Sequence, residues 1–140
     1  MVSQSRGHVF VVDDDGSFLA AVCRLIRAGG FKATGVTCAG DLIALCPLPE
    51  QSCVLSDIIL DGESGLELPA ILLNHCETAP VVFMSATDDP GTLLAADHEG
   101  AVPCLRKPFE AQDLFNSIEV ALSGSRQAPV SPSEPDEEMQ

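Results

Sequence analysis

The sequence carries VFVVDDD at residues 9–15, four apolar residues that stop at three aspartates. A short apolar run of this kind is typical of a strand buried in a parallel sheet, and its last residue then lies at the carboxyl edge of the sheet. Three later apolar runs end in the same way, at Asp57, Ser85 and Lys107. Ligands bind at that edge in open α/β sheets. We therefore expect carboxylates, a hydroxyl and an ammonium to meet in one crevice, a set that suits a divalent cation and a phosphoryl group.

Strand-like and helix-like segments alternate along the rest of the chain. The apolar runs predict strands at 8–12, 31–36, 53–56, 80–84 and 101–105. Helical spacing of apolar residues, with Gly and Pro at the ends, predicts helices at 16–28, 39–46, from Ser64-Gly65 onward, 90–98 and 110–122. Five β-α units of this kind predict an α/β fold with a doubly wound, five-stranded parallel sheet between two layers of helices.

Length and charge limit the classes of structure and function. A chain of 140 residues is expected to form one domain, which we place at residues 1–122. Residues 123–140 are rich in Ser, Pro and acids, which predicts a disordered acidic tail. The formal net charge of −14 repels nucleic acid, so direct binding to nucleic acid is not expected.

The cysteines and the lack of long apolar segments predict a cellular location. None of the six cysteines forms a C-x-x-C pair, and no spacing typical of zinc sites occurs. Most of them lie within apolar stretches, so we expect buried, reduced thiols. The N-terminus has no apolar signal-peptide core, and no apolar stretch reaches membrane-spanning length. We therefore expect a soluble, cytoplasmic protein with no membrane partner.

Each polar group at the predicted sheet edge also has a structural interpretation. Adjacent carboxylates at Asp13 and Asp14 repel each other, which favours a cation between them, but an acidic triplet can also begin a turn and cap the next helix. We expect Asp15 to be that cap. Ser85 alone would be an ordinary turn residue, and Lys107 alone an ordinary ion-pair partner. Their joint occurrence at strand ends favours a phosphoryl site.

These residues and their spacing resemble the receiver domain of two-component response regulators, the CheY-like fold. The resemblance covers residues 7–122 and rests on four motifs: VFVVDDD at 9–15, SDIILDGESGLEL at 56–68, VVFMSA at 81–86 and LRKPF at 105–109. It implies the strand order 2-1-3-4-5 of the flavodoxin-like sheet. It also implies a stand-alone receiver, a phosphoacceptor that assists its own phosphorylation and dephosphorylation and is not an enzyme.

The resemblance implies a role for each acidic residue at the sheet edge. Asp57 matches the phosphoacceptor, which takes a phosphoryl group from a sensor histidine kinase or a histidine phosphotransfer protein. Asp14 and Asp57 match direct Mg²⁺ ligands, joined by the backbone carbonyl of Ile59. Asp13 matches a residue that helps to hold the ion through water. Such oxygens are the ligands that Mg²⁺ prefers.

Two further matches concern the phosphoryl group itself. Lys107 matches the cation that contacts the phosphoryl oxygens, and the Lys107–Pro108 peptide is expected to be cis, as in the family. Ser85 matches the hydroxyl that turns inward to bond the phosphoryl group. In the family this movement changes the face formed by helix 4, strand 5 and helix 5. Output is therefore expected through contact with an unidentified downstream protein, and a dimer that forms on phosphorylation is a second expectation.

Three positions depart from the family pattern. Cys104 stands where receivers usually carry a switch tyrosine or phenylalanine, so we expect the signal to travel by backbone shifts. Asp61 stands where proline is common. Ile59 places an apolar side chain beside the acceptor, and we expect a long-lived phosphoryl state because this side chain restricts the attacking water.

Two other functions stay open at the level of sequence. The missing aromatic at position 104 is compatible with a pseudo-receiver that binds a partner without being phosphorylated. The string VVDDDGS also fits the opening motif of haloacid-dehalogenase-type phosphatases, with Asp13 as the nucleophile. Those phosphatases need a further acidic pair for Mg²⁺ after the lysine. The acids beyond Lys107 all lie in the predicted last helix or in the tail.

Overall fold

A five-stranded parallel sheet forms the centre of the computed structural model, which describes residues 6–60 and 62–126. The strands are β1 (His8–Val12), β2 (Lys32–Val36), β3 (Ser52–Asp57), β4 (Ile59–Leu60), β5 (Glu63–Ser64), β6 (Val81–Ser85) and β7 (Leu105–Arg106). The sheet has the order β2-β1-β3-β6-β7, and every pair in it is parallel. Because β4 and β5 form a separate hairpin, β6 and β7 are the fourth and fifth strands of the main sheet. The predicted strand order 2-1-3-4-5 is therefore confirmed.

Helices cover both faces of the sheet. They are α1 (Gly16–Ala28), α2 (Ala39–Ile43), α3 (Leu68–Asn74), α4 (Pro90–Glu99) and α5 (Ala111–Arg126). Successive strand residues point to opposite faces, so β1 contributes to two cores. Val9 and Val11 belong to the core that includes residues of α1 and α5, whereas Phe10 and Val12 belong to the core that includes residues of α2, α3 and α4. The predicted doubly wound α/β fold is confirmed.

The central strands are buried on both faces, which holds their carboxyl ends in place. Val54 and Leu55 of β3 and Val82 and Phe83 of β6 have no exposed surface. Truncation of a side chain packed in this way costs about 2–5 kcal/mol of folding free energy. A functional group at the end of such a strand therefore has a rigid support.

The bounds of α2 and α3 differ from those predicted. α2 ends at Ile43 and not at Cys46, because Cys46 precedes Pro47 and the residue before a proline disfavours helical backbone. α3 begins at Leu68 and not at Ser64, because Ser64 belongs to β5. In both cases the residues that flank the helix determine where it begins or ends.

The last strand of the sheet is much shorter than predicted. The prediction was a strand at 101–105, but β7 contains two residues, Leu105 and Arg106. Pro103 has no N–H to donate to a neighbouring strand. The N–H of Cys104 donates instead to the Asp97 carboxylate of α4, at 2.8 Å. The N–H of Ala101 donates to the carbonyl of Val81 at 2.8 Å, but continuous pairing with β6 begins only at Leu105.

The last helix is longer than predicted. α5 continues to Arg126, so residues 123–126, which we assign to the tail from the sequence, are helical. The predicted boundary at residue 122 thus falls inside α5. The rest of the predicted tail, residues 127–140, lies outside the described residues.

The cysteines are all free thiols, and all six lie within the described residues. Cys23 and Cys53 are buried, as we expect from the sequence, but Cys38, Cys46 and Cys104 are only partly buried and Cys76 is exposed. Burial raises the pKa of the Cys53 thiol to about 12. In the part of the chain that the structure describes, none of the helices has the length and apolar character needed to cross a bilayer.

His8 at the start of β1 makes stability depend on pH. Its ring stacks on Phe10, and its Nε2 lies 2.8 Å from Thr34 Oγ1. Burial, with a smaller effect of the Lys32 charge, lowers the pKa of His8 below its ordinary value of 6.5. A lowered pKa favours the neutral ring in the folded state, so this contribution is complete above about pH 6.5 and is lost as the pH falls through the folded-state pKa.

We therefore expect the urea midpoint to fall between pH 7.5 and pH 5.5, and to fall less in His8→Gln, which cannot titrate. Urea unfolding followed by circular dichroism measures the midpoint at each pH for both proteins. An equal fall of the midpoint in wild type and His8→Gln would contradict this role of His8.

Candidate functional site

The polar groups of the site stand at the carboxyl ends of four parallel strands. The register pairs Val12 with Ser56, Asp57 with Met84, and Ser85 with Arg106. Asp13 and Lys107 each follow directly after the last residue of a strand. Since all strands of the sheet run in the same direction, Asp13, Asp57, Ser85 and Lys107 lie at one edge.

The Lys107 ammonium joins two carboxylates from different strands. Its Nζ lies 2.9 Å from Asp57 Oδ2 and 3.1 Å from Asp13 Oδ2. The Asp13 side chain is 1% exposed, whereas the side chains of Asp57 and Lys107 are each 18% exposed. Burial alone would lower the pKa of Lys107, but the hydrogen bonds and negative charges of Asp57 and Asp13 outweigh it and raise this pKa above its ordinary value. Lys107 is therefore a cation at neutral pH.

The second oxygen of each carboxylate is held by the backbone. Asp13 Oδ1 accepts from the N–H of Asp15 at 2.9 Å, and Asp57 Oδ1 accepts from the N–H of Ile59 at 3.1 Å. Asp15 is the N-cap of α1, as predicted, and its Oδ1 accepts from the N–H groups of Ser17 and Phe18. The two carboxylates thus have a defined orientation as well as a defined position.

Asp14 follows Asp13 at this edge, and it is exposed. Within residues 6–60 and 62–126, no three His, Cys, Asp or Glu side chains are arranged around a common metal position. One oxygen of Asp13 and one of Asp57 face the Lys107 ammonium. The donor set is nevertheless composed of hard carboxylate oxygens, which is the chemistry that Mg²⁺ requires.

Ser85 is buried at the end of β6. It is 1% exposed, and its Oγ accepts from the N–H of Thr87 at 2.9 Å. Its backbone carbonyl accepts from the N–H of Lys107 at 2.7 Å. Ser85 and Lys107 are therefore linked through their main chains. The Lys107–Pro108 peptide is cis, as predicted.

This sheet edge, with its acids, hydroxyl and lysine, matches a known family. A family model described as the response regulator receiver domain matches residues 9–119. The chain belongs to this family. Receiver domains are generally phosphoacceptors without enzymatic turnover, and they generally bind Mg²⁺ at an acidic phosphorylation site. The match favours the receiver over the haloacid-dehalogenase-type phosphatase that the string VVDDDGS also fits.

The relatives of this receiver domain are response regulators. The transcriptional regulatory protein FixJ of Bradyrhizobium diazoefficiens is 36% identical over 118 residues, which cover 84% of this chain and 58% of that protein. The DNA-binding transcriptional regulator NtrC of Proteus hauseri is 31% identical over 122 residues, which cover 87% of this chain and 26% of that protein. The chain therefore spans less than two thirds of the length of these relatives.

Solved structures show the same architecture. Full-length FixJ from B. japonicum has 30% sequence identity and a TM-score of 0.78, over 89% of this chain and 62% of that chain. The response regulator StyR has 35% identity and a TM-score of 0.75, over 88% of this chain and 62% of that chain. The receiver fold and the two-component phosphoacceptor role implied by the sequence are thus confirmed.

This receiver domain has an unpredicted hairpin directly after Asp57. Its strands β4 and β5 pair as Ile59–Ser64 and Leu60–Glu63. The N–H of Gly65 donates to the carbonyl of Ile58 at 2.6 Å, which makes Ile59 and Ser64 a non-hydrogen-bonded pair. The carbonyl of Ile59 therefore points away from β5. This carbonyl is the group that the family resemblance assigns to the metal.

Two glycines allow the hairpin to form so close to Asp57. Gly62 has φ +80°, which side-chain-bearing residues rarely adopt. A Cβ on Gly65 would lie 2.5 Å from the backbone oxygen of Asp57. The sequence signal for the hairpin is the dipeptide Asp61-Gly62, a common composition of two-residue hairpin turns.

Cys104, at the position of the usual switch aromatic, is held through its backbone. Its N–H donates to Asp97 Oδ1, and its Sγ lies 3.6 Å from the carbonyl oxygen of Leu105, to which it donates. Burial, reinforced by the charge of Asp97, raises the pKa of the Cys104 thiol to about 11. The thiol is therefore protonated at neutral pH. Asp97, which the sequence does not single out, links α4 to the segment before β7.

We expect Gly65→Ala to destabilise the domain by about 1–3 kcal/mol, because the added methyl group meets the backbone of Asp57. Urea unfolding measures this loss. Gly124→Ala is the matched control, since a Cβ at that helical position has no atom within 4 Å, and it should be neutral or slightly stabilising. Equal destabilisation by the two substitutions would contradict the close approach at Gly65.

Proposed function

We propose that this receiver domain accepts a phosphoryl group on Asp57 and transmits the change to a protein partner. The unequal exposure of the two paired carboxylates supports Asp57 as the acceptor. The Asp57 side chain is 18% exposed, whereas that of Asp13 is 1% exposed. A phosphodonor must reach the accepting oxygen in line from solvent. Of the two carboxylates, Asp57 offers that approach.

In the proposed step, one Asp57 oxygen attacks phosphorus. An O–P bond forms while the P–N bond of a phosphohistidine breaks, and the electron pair of that bond leaves with the donor. With acetyl phosphate the P–O bond breaks in the same way and acetate leaves. The product is an acyl phosphate on Asp57. The Lys107 ammonium, 2.9 Å from Asp57 Oδ2, then donates to the phosphoryl oxygens and offsets their charge.

The proposed cofactor is Mg²⁺. The carboxylates of Asp14 and Asp57 and the backbone carbonyl of Ile59 would hold it, with Asp13 contributing through water. The hard oxygens of this set and the direction of the Ile59 carbonyl support the assignment. A bound Mg²⁺ supplies positive charge for the phosphoryl oxygens. Asp13, 3.1 Å from the Lys107 ammonium, holds this lysine beside the acceptor.

Ser85 is proposed as the group that detects the phosphoryl state. Its hydroxyl accepts from Thr87 N and has an O–H with which to donate to a phosphoryl oxygen on Asp57. The carbonyl of Ser85 accepts from the N–H of Lys107, the residue directly after β7, which provides a route by which a shift of Ser85 reaches that strand. The hydroxyl thus couples the acceptor to the neighbouring strand.

The proposed output surface consists of α4, β7 and α5. Leu94 on α4 is 71% exposed and Val120 on α5 is 59% exposed. Large apolar side chains in contact with water favour binding to another protein, and a second phosphorylated receiver is one such partner. The proposed donor is a sensor histidine kinase or a histidine phosphotransfer protein.

Incubation with acetyl phosphate and Mg²⁺ is expected to add about 80 Da to the intact protein, the mass of one phosphoryl group. Asp57→Asn should abolish the gain, since it removes the nucleophile. Asp113→Asn, an exposed substitution on α5, should keep it. Intact-protein mass spectrometry reads all three. A folded wild-type protein that gains no mass would refute the proposal and favour the pseudo-receiver.

The phosphoryl group on Asp57 is expected to persist for longer than seconds. Ile59 is two residues from Asp57, its backbone N–H is bonded to the Asp57 carboxylate, and the residue is 52% exposed. We propose that this apolar side chain restricts the approach of water to the phosphoryl group. Ile59→Ala should shorten the lifetime several-fold, measured as loss of the added mass after the donor is removed. Decay of the wild-type phosphoprotein within seconds would contradict this role.

A further inference from the structure

The Lys107 ammonium has a third contact, the face of an aromatic ring. Its Nζ lies 4.1 Å from the ring centroid of Phe18, a partly buried residue in the first turn of α1. Phe109 packs edge-on against Phe18, with 6.2 Å between the ring centroids and 80° between the ring planes. A second aromatic residue thus holds the Phe18 ring, whose negative face is directed at the cation.

Hydrogen bonds connect the backbone of Phe18, through Asp15, to the carboxylate of Asp13. Asp13 Oδ1 accepts from the N–H of Asp15, and Asp15 Oδ1 accepts from the N–H of Phe18 at 3.2 Å. Asp13 Oδ2 in turn accepts from the Lys107 ammonium. The contacts therefore form a closed circuit of four residues, Asp13, Asp15, Phe18 and Lys107. The turn that orients Asp13 also places the aromatic ring under the lysine.

A lysine needs such support because its side chain is flexible. It has four rotatable carbon-carbon bonds, and fixing them in one arrangement costs rotamer entropy. The carboxylate of Asp57 holds the ammonium only as long as that carboxylate keeps its charge and position, and both change when it forms an acyl phosphate. That reaction alters neither Asp13 nor the Phe18 ring, so these two contacts remain to hold the ammonium.

We propose that Phe18 is a positioning residue for phosphoryl transfer: its ring holds the Lys107 ammonium beside Asp57 and so sets the rate at which Asp57 captures a phosphoryl group. This role rests on the proposed function of Asp57 and Lys107. Phe18 acts through the lysine and does not contact the phosphorus atom. Loss of the π face should therefore slow transfer, whereas loss of an equal apolar volume elsewhere should not.

The test compares Phe18→Leu, Phe18→Tyr and Phe115→Leu in the full chain, with acetyl phosphate and Mg²⁺. Leu removes the π face, and Tyr keeps it. The initial rate of mass gain should fall about threefold to tenfold in Phe18→Leu and return to within about twofold of wild type in Phe18→Tyr. Phe115→Leu removes a ring that stacks on Phe31, which directly precedes β2 and so lies at the amino ends of the strands, away from the site. It should change the rate by less than about twofold.

A double-mutant cycle shows whether the ring acts through the lysine. In the Lys107→Met background, Phe18→Leu should lower the remaining rate by less than about twofold, because the cation is already absent. A further loss of about threefold to tenfold in that background would overturn the proposal. So would an unchanged rate in Phe18→Leu on its own. Urea midpoints of all variants separate a loss of folded protein from a loss of rate.

Lysine NMR provides a measurement that does not depend on phosphorylation. The chain has two lysines, Lys32 and Lys107, and Lys32 is exposed. The ε-methylene protons of Lys107, assigned with Lys107→Met, should resonate upfield of those of Lys32, because the neighbouring Nζ lies 4.1 Å from the centroid of the Phe18 ring. Phe18→Leu should remove this shift, and Phe18→Tyr should preserve it.

The two measurements distinguish failure of the proposed function from failure of the Phe18 role. If the wild type gains no mass although the Lys107 signal is shifted, the phosphoacceptor function fails, and a role of Phe18 in transfer fails with it. If the wild type gains mass but the signal is unshifted, the phosphoacceptor function stands and the role of Phe18 is overturned.

Discussion

A single ammonium between two carboxylates holds the functional edge of this domain together. The carboxylates of Asp13 and Asp57 come from neighbouring strands, and their charges would repel each other in the absence of a cation. Lys107 reaches both of them from the end of β7. This ion pair joins β1, β3 and β7 across the sheet, and the geometry of the site depends on it.

Burial of Asp13 is tolerated because both of its oxygens have partners. A carboxylate removed from water is costly unless it is paired and hydrogen-bonded. One oxygen of Asp13 faces Lys107, and the other accepts from the N–H of Asp15. Asp57 has the same kind of arrangement, with Lys107 on one oxygen and the N–H of Ile59 on the other, but its side chain is 18% exposed, against 1% for Asp13. The two carboxylates thus have similar hydrogen bonds and differ in their access to solvent.

The sequence predicts the strand ends well because apolar runs in a parallel sheet stop where the sheet stops. This is why the sequence alone places Asp57, Ser85 and Lys107 at one edge. The prediction from sequence fails where a contact with a residue outside the strand decides where a strand begins or what a side chain touches. Cys104 leaves the sheet because its N–H is bonded to Asp97, seven positions earlier and on a helix. Phe18 fits the helical spacing of core residues, and its contact with an ammonium depends on how β7 ends.

The hairpin shows a different limit of the sequence pattern. Its strands have two residues each, too few for a period of two to be recognised. Its only sequence signal is the Asp61-Gly62 dipeptide, which is also common in ordinary loops. The close packing of Gly65 against Asp57 is a tertiary property that no local pattern contains. The orientation of the Ile59 carbonyl could therefore not be deduced from the sequence.

The bond from the backbone of Cys104 to Asp97 has an evolutionary consequence. A tyrosine or phenylalanine that relays a signal by rotating must be kept by selection, because the side chain itself does the work. Here α4 is tied to the polypeptide at position 104 by an amide hydrogen that every amino acid except proline possesses. Selection for this bond therefore acts on the acceptor at position 97, whereas the side chain at position 104 is constrained by its own packing against the core and by its contact with the Leu105 carbonyl.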